Sequence, residues 1–183
     1  MNLKQIFNLT VLGVIVTQVP LLAAETSIAT PDIIRFECIQ LSNHPSESKF
    51  ATVPVLSDGT KTTPLFLWKT QEFSETGYTP ERRCHQVTDR LNAATTTNGG
   101  VENLWLTIGR INHLGVLCYV NNTSSGCNKN NVLFTFNRKN DKDPAKVIAK
   151  MLNFSIQKSG EQPYVNLGQS VNNKSFPESV IID

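Results

Sequence analysis

Apart from Lys4, charge is absent from the first 24 residues of this sequence. Between Lys4 and Glu25 no residue is charged, and the stretch from Ile6 to Leu22 is almost wholly apolar. One positive charge followed by such a run is the pattern of a secretory signal. The run is short for a membrane span, which takes about 20 apolar residues, and Asn8, Thr10, Thr17, Gln18 and Pro20 weaken it further. An uncleaved N-terminal anchor is the competing reading. Cutting after Ala24 leaves bulky Leu22 at the third position before the cut. Cutting after Ala29 offers Ser-Ile-Ala, a better small-x-small match that lies farther from the apolar run. We take 1–24 as the signal peptide. No cysteine closely follows the apolar run, which argues against a lipoprotein anchor.

A dominant charge sign is also missing. Lys and Arg number 17 against 15 Asp and Glu, a net charge of +2 that falls to +1 without Lys4. Nucleic-acid binding usually shows as strongly basic composition, so nucleic acid is not an expected partner. The signatures of familiar chemistries are lacking too. There is no Cys-x-x-Cys, no paired metal-ligand spacing, no phosphate loop and no nucleophile elbow. No metal or cofactor is therefore expected, and no catalytic residue is assigned. Internal repeats and low-complexity blocks are absent as well.

What is present begins with four cysteines, Cys38, Cys84, Cys118 and Cys127. An even number in a chain read as exported points to a disulfide framework. Cys118 and Cys127 flank a polar loop between two strand-like runs, so proximity pairs them, and Cys38 with Cys84 follows by elimination. In the loop-entropy picture the short ring stabilises by roughly 3 kcal/mol and the long one by about 4. Zinc is the rival reading, disfavoured by the spacing and by an oxidising compartment.

Periodicity places the other elements. Ile33 to Ile39 reads as a strand with Ile34, Phe36 and Cys38 on one face and Arg35 and Glu37 on the other. Phe50 to Leu56 reads as a second strand, pushed toward a sheet edge by Pro54. The turn Ser57-Asp58-Gly59-Thr60 joins it in a hairpin to a short strand over Pro64–Lys69. Thr79-Pro80-Glu81 starts a helix, with Thr79 as cap, that runs to about Ala94 and turns Cys84, Val87 and Leu91 inward. Strands over Leu104–Arg110, His113–Val120 and Val132–Phe136 follow. A second helix starts at Asp143-Pro144, with Val147, Ile148, Met151 and Leu152 apolar. The expected organisation is a signal peptide (1–24), a linker (25–32), one disulfide-stapled α+β domain (33–155) and a partly disordered tail (156–183). Short extended pieces are expected in the tail at Tyr164-Val165 and Val180–Ile182. The expected architecture is one antiparallel sheet of about five or six strands with two packed helices and two disulfides.

One series of residues is distinctive. Trp68, Phe73, Gly77-Tyr78-Thr79-Pro80 and Arg83-Cys84 give W-x4-F-x3-G-Y-T-P-x2-R-C. Leu104–Gly109, Ile111-Asn112, Val116-Leu117-Cys118, Gly126-Cys127 and Val132–Phe136 follow in order. This order resembles the exported circadian oscillating protein family of cyanobacteria, from about Phe36 to Leu152. The resemblance implies a membrane-associated protein and brings with it no enzymatic activity.

Candidate binding residues are Arg82, Arg83 and Arg90, a basic face for an acidic partner or an anionic membrane surface. Glu81 and Asp89 are interleaved with them, so a solvated helix surface is the plainer reading. Trp68, Phe73 and Tyr78 are either a ligand-stacking cluster or, more plainly, core and helix-staple residues. His85 beside Cys84 does not make a thiol–imidazole pair, because adjacent helical residues diverge by about 100°. The expected function is a non-catalytic exported accessory or binding protein of the periplasm or a membrane surface. Its partner would be an unknown protein or the membrane itself. The binding surface would combine the Cys118–Cys127 loop with the Arg82–Arg90 face. The alternative is an extracytoplasmic hydrolase whose site is assembled from His44, His113, Glu72 and Asp58. A peptide map without reduction is expected to join the Cys38 and Cys84 peptides and to close the Cys118–Cys127 ring. Free thiols at all four positions would overturn the compartment as well as the pairing.

Overall fold

Among the residues that the computed structural model describes (32–42, 48–69, 71–152, 164–168 and 180–182), the chain forms eight strands and two α-helices. The expected signal peptide, most of the linker and His44 lie outside them. The α+β class is as expected, but the strands form two sheets instead of one. Strands β1 (Ile33–Gln40), β2 (Phe50–Leu56) and β3 (Phe66–Trp68) make an antiparallel meander. β4 (Trp105–Ile111), β5 (Leu114–Val120) and β6 (Val132–Thr135) make a second. Helix α1 (Pro80–Thr97) lies between them in sequence, and α2 (Pro144–Leu152) follows β6.

The expected single sheet fails for a reason that periodicity does not carry. Strand positions follow from alternation, but pairing depends on which edges stay open. Here α1 occupies two of them. At β1, the Phe36 N–H donates to Asn92 Oδ1 (2.8 Å), and Asn92 Nδ2 donates to the Phe36 carbonyl (3.0 Å). At β6, Arg90 Nη1 donates to the carbonyls of Leu133 (2.7 Å) and Val132 (3.4 Å). Pro54 fits the same scheme. It stands opposite Phe36 in the register, and its carbonyl accepts from Thr62 N–H (3.0 Å) past the end of β3. Because the N–H and C=O sides of a strand residue point the same way, the donor that proline lacks would have faced that connection. β2 is therefore internal to its sheet despite the proline.

In β1 the register shifts between Ile33 and Arg35, so Ile33 is buried and Ile34 is 49% exposed. The expected inward position of Ile34 is thus corrected by a β-bulge, which flips the side chain next to the extra residue.

Thr79 caps α1 as expected, its Oγ1 accepting from Arg82 N–H at 3.2 Å, with Pro80 in the first turn. The helix continues three residues past Ala94. Thr96 Oγ1 folds back onto the Asn92 carbonyl (3.0 Å), and termination waits for Asn98 and for Gly99 and Gly100, both at positive φ. Cys84, Val87, Leu91 and Ala94 face inward. In α2, Asp143 Oδ1 accepts from Lys146 N–H (3.1 Å), and Val147 and Ile148 are buried. The side chains of Met151 and Leu152 lie outside the described part.

The two sheets share one core. Phe134 of β6 meets Phe66 and Trp68 of β3 edge-on, with ring centroids 5.3 and 5.5 Å away, and Phe136 at 5.6 Å. Beside the rings, Trp68 Nε1 donates to buried Thr52 Oγ1 (3.0 Å), which also meets Thr88 Oγ1 (3.2 Å). No polar atom of that line is stranded, which burial would otherwise penalise by about 1–3 kcal/mol. The two tail pieces join the fold as strands. β7 (Tyr164–Asn166) pairs antiparallel with β4, and β8 (Val180–Ile182) pairs parallel with β3.

Both disulfides form as paired above. Cys38–Cys84 ties β1 to α1, and Cys118–Cys127 ties β5 to the loop after it, each with a Cα–Cα distance of 5.6 Å. The second explains Gly109 of the sequence pattern. A Cβ on Gly109 would stand 2.7 Å from Cys127 Cβ and 2.8 Å from its Sγ. Gly109→Ala is expected to cost about 1–3 kcal/mol in urea denaturation, as overpacking does. Most of that loss should vanish when Cys118 and Cys127 are both serine. A loss of the same size in that background would show that the disulfide is not what the methyl meets.

Candidate functional site

The three candidate arginines leave α1 for different surroundings. Arg82 is exposed; its guanidinium lies 5.0 Å from the Tyr78 ring centroid, and its Nη1 donates to the Gly77 carbonyl (3.1 Å). Gly77 has φ +81°, the conformation that turns the chain from the short Ser74–Thr76 turn toward the cap. An L-residue adopts that conformation only with strain. Arg83 does not belong to a solvated surface. It is 7% exposed, with its guanidinium over Trp68 (5.5 Å) and Phe73 (5.7 Å). Burial pushes its pKa down from the ordinary value, and the nearby Glu72 carboxylate opposes the shift. Arginine remains charged under such a shift. The aromatic residues divide accordingly. Trp68 is wholly buried, Phe73 is half-buried, and Tyr78 is 44% exposed.

Arg83 and Arg90, two turns apart on α1, line a groove of about 610 Å³. Val87 lies between them on the helix wall. The second wall is β6, from Val132 to Thr135, with Leu114 and Tyr119 of β5. Phe73 and Tyr78 close one part, and Lys129 and Asn130 of the β5–β6 loop close another. The structure thus brings Arg83 and Arg90 together with the loop that the Cys118–Cys127 disulfide pins. Arg82 does not line the groove. Sequence reasoning missed Lys129, Leu114 and Tyr119. The strand expected over His113–Val120 contained Leu114 and Tyr119, but only pairing in the sheet carries them to α1.

The electrostatics of the groove are one-sided. Arg83, Arg90 and Lys129 line it, and no Asp or Glu does, in a chain of net charge only +2. Low-dielectric walls focus such a field. Its rims are also apolar and wet, since Leu114 is 54% and Tyr78 44% exposed.

Of the residues of the hydrolase alternative, His44 lies outside the described part, and the other three are not gathered there. Asp58 lies in the turn after β2, where its carboxylate accepts from Thr60 N–H (2.8 Å). That bond holds its pKa below the ordinary carboxylate value. Glu72 lies before α1 and accepts from Arg138 N–H (3.4 Å). His113 sits at positive φ in the β4–β5 turn, its carbonyl accepting from Arg110 Nη1 (2.9 Å). None of the three lines the groove. His85 is exposed, and Cys84 beside it is in a disulfide. Among the described residues no group of three or more His, Cys, Asp or Glu is placed to hold a metal ion. None of the described helices is long and apolar enough to cross a membrane.

A family model described as circadian oscillating protein COP23 matches residues 35–180. No curated protein and no solved structure matches the chain.

Arg83 is the test of how this wall is built. Arg83→Ala should lose about 1–3 kcal/mol in urea, from lost stacking as much as from lost charge. Arg83→Lys should recover little, because an ammonium lacks the planar face that stacks. Full recovery by lysine would show that only the charge matters.

Proposed function

The chain is a member of the circadian oscillating protein COP23 family, and from that premise we propose that it is a non-catalytic exported binding protein of the cyanobacterial periplasm or membrane surface. Its binding face is the groove between α1 and β6. The observation that carries this reading is the groove's lining, which includes Arg90 and Lys129 and no Asp or Glu, with Tyr78 and Leu114 exposed at its rim. Such a surface suits an anionic partner that also covers Tyr78 and Leu114, and it holds no nucleophile–base pair for chemistry. Export is supported by the apolar, uncharged run before Glu25 and by the two disulfides. Arg83 serves this face from beneath, as a buried support that also tilts the local field positive.

Mild cross-linking in cells, followed by recovery from soluble and salt-washed membrane fractions, is expected to yield one stoichiometric partner. Lys129→Glu together with Arg90→Gln should lower that recovery about tenfold, as loss of rim charges does. Glutamine is two atoms shorter than arginine and gives up the bonds to the Val132 and Leu133 carbonyls, so Lys129→Glu alone, at an exposed residue, is the companion variant that leaves the wall intact. Undiminished recovery by the double variant would remove the groove from the function.

A further inference from the structure

We propose that Asn98 is a site of spontaneous covalent modification, in which the last turn of α1 opens and the Gly99 backbone nitrogen displaces the Asn98 side-chain amide, leaving aspartate or isoaspartate. Asn98 does not line the groove, so the proposal is independent of what binds there. Asn98-Gly99 is the one Asn-Gly pair in the chain. Glycine matters because no Cβ flanks the attacking nitrogen. Gly99 has φ +74°, and even an added Cβ would come no nearer than 4.0 Å to Asn103 Nδ2, so the approach is uncrowded. The step balances as one water taken up and one ammonia released. The deprotonated Gly99 nitrogen bonds to Asn98 Cγ, the Cγ–Nδ2 bond breaks, and Nδ2 leaves as ammonia with the proton. Water then opens the cyclic imide at either carbonyl. One opening restores the chain with an aspartate side chain; the other sends the backbone through the former side chain and lengthens it by a methylene.

The closed turn holds this reaction back. The imide ring closes only when the Asn98 Cβ and the Gly99 nitrogen are eclipsed about the Cα–C bond, whereas ψ 6° at Asn98 eclipses its own nitrogen instead. Rotation away from that angle breaks three hydrogen bonds. Asn98 Nδ2 donates to the Ala94 carbonyl (2.7 Å), Gly99 N–H to the Thr96 carbonyl (3.3 Å) and Asn103 Nδ2 to the Asn98 carbonyl (3.1 Å). Each bond favours the closed turn by roughly fivefold. Against them stands a weak helix end. Thr95, Thr96 and Thr97 are poor helix formers in succession, and Thr95 Oγ1 is buried without a hydrogen-bond partner. Helix ends fray, so opening is confined to this turn while the rest of α1 stays packed. The product holds the turn less well than asparagine does. A carboxylate has no N–H for the Ala94 carbonyl, and it sets a negative charge at the negative end of the helix dipole. No basic residue in the last turn offsets it.

The test is to age the oxidised, folded protein in warm, mildly alkaline buffer beside a synthetic peptide of residues 91–110, the fragment that trypsin releases between Arg90 and Arg110. Tandem mass spectrometry of the digest follows amide-to-carboxyl conversion at Asn98, with Asn92 and Asn103 in the same peptide as internal references. The folded protein is expected to convert at Asn98 about 10- to 100-fold more slowly than the peptide. Asn103→Ala, at an exposed residue, should speed that conversion about fivefold while Asn92 stays unconverted. Asn98→Asp, which copies one product, should lower the urea midpoint. No conversion in the folded protein over about a hundred half-lives of the peptide would overturn the proposal. Conversion as fast as the peptide's, or a rate indifferent to Asn103→Ala, would overturn the gating by the turn. An unchanged midpoint for Asn98→Asp would overturn the loosening of α1.

Discussion

Asn92 and Arg90 are two residues apart on α1, and each completes the hydrogen bonding of a different sheet. Most of the molecule depends on that arrangement. An unpaired sheet edge recruits other strands, and both β1 and β6 are edges. The helix satisfies them with side chains, so the two meanders remain separate sheets about a shared core. The Cys38–Cys84 bond then holds the helix to β1 while Phe134 wedges β6 against β3. The groove is the space left where α1 reaches the β6 edge but does not cover it.

The distinctive residue series from Trp68 to Cys84 is accounted for almost entirely by how the chain enters that helix. Trp68 supplies a ring beneath Arg83, and Phe73 supplies another. Gly77 makes the left-handed turn, Thr79 and Pro80 start the helix, and Cys84 anchors it. These residues set the position of one groove wall. Of the side chains that give the groove its outer charge and exposed apolar rim, Tyr78 belongs to that series, while Lys129 and Leu114 fall outside it. A family pattern of this kind records the building of the site more than its specificity.

Local rules were the legible part of the sequence. The bounds of β2, the cap of α1 at Thr79, the start of α2 at Asp143-Pro144 and both cysteine pairs follow from chemistry within a few residues or from proximity. Three features were illegible because they depend on partners distant in the chain. The bulge at Ile34 is a matter of register against β2. The burial of Arg83 requires Trp68 and Phe73 to converge on it, and helical spacing alone put it on a charged face. Division into two sheets depends on Asn92 and Arg90 acting as edge partners, a role neither residue type announces. Half of the candidate site was visible, on the helix, while the other half came from strand pairing.

The placement of β7 and β8 bears on the order in which the protein can be completed. Each meander is made of neighbouring strands and can form as soon as its own stretch of chain is free, since contacts close in sequence form fastest. The outer edges of β4 and β3 have no such neighbour. They wait for Tyr164–Asn166 and Val180–Ile182, the latter more than a hundred residues downstream of its partner Phe66–Trp68. A chain that stops short of these segments would retain its helix and its disulfide cysteines yet display two bare strand edges. Such edges are templates for strands of other chains, so these two short segments close the fold against its neighbours as well as completing its sheets.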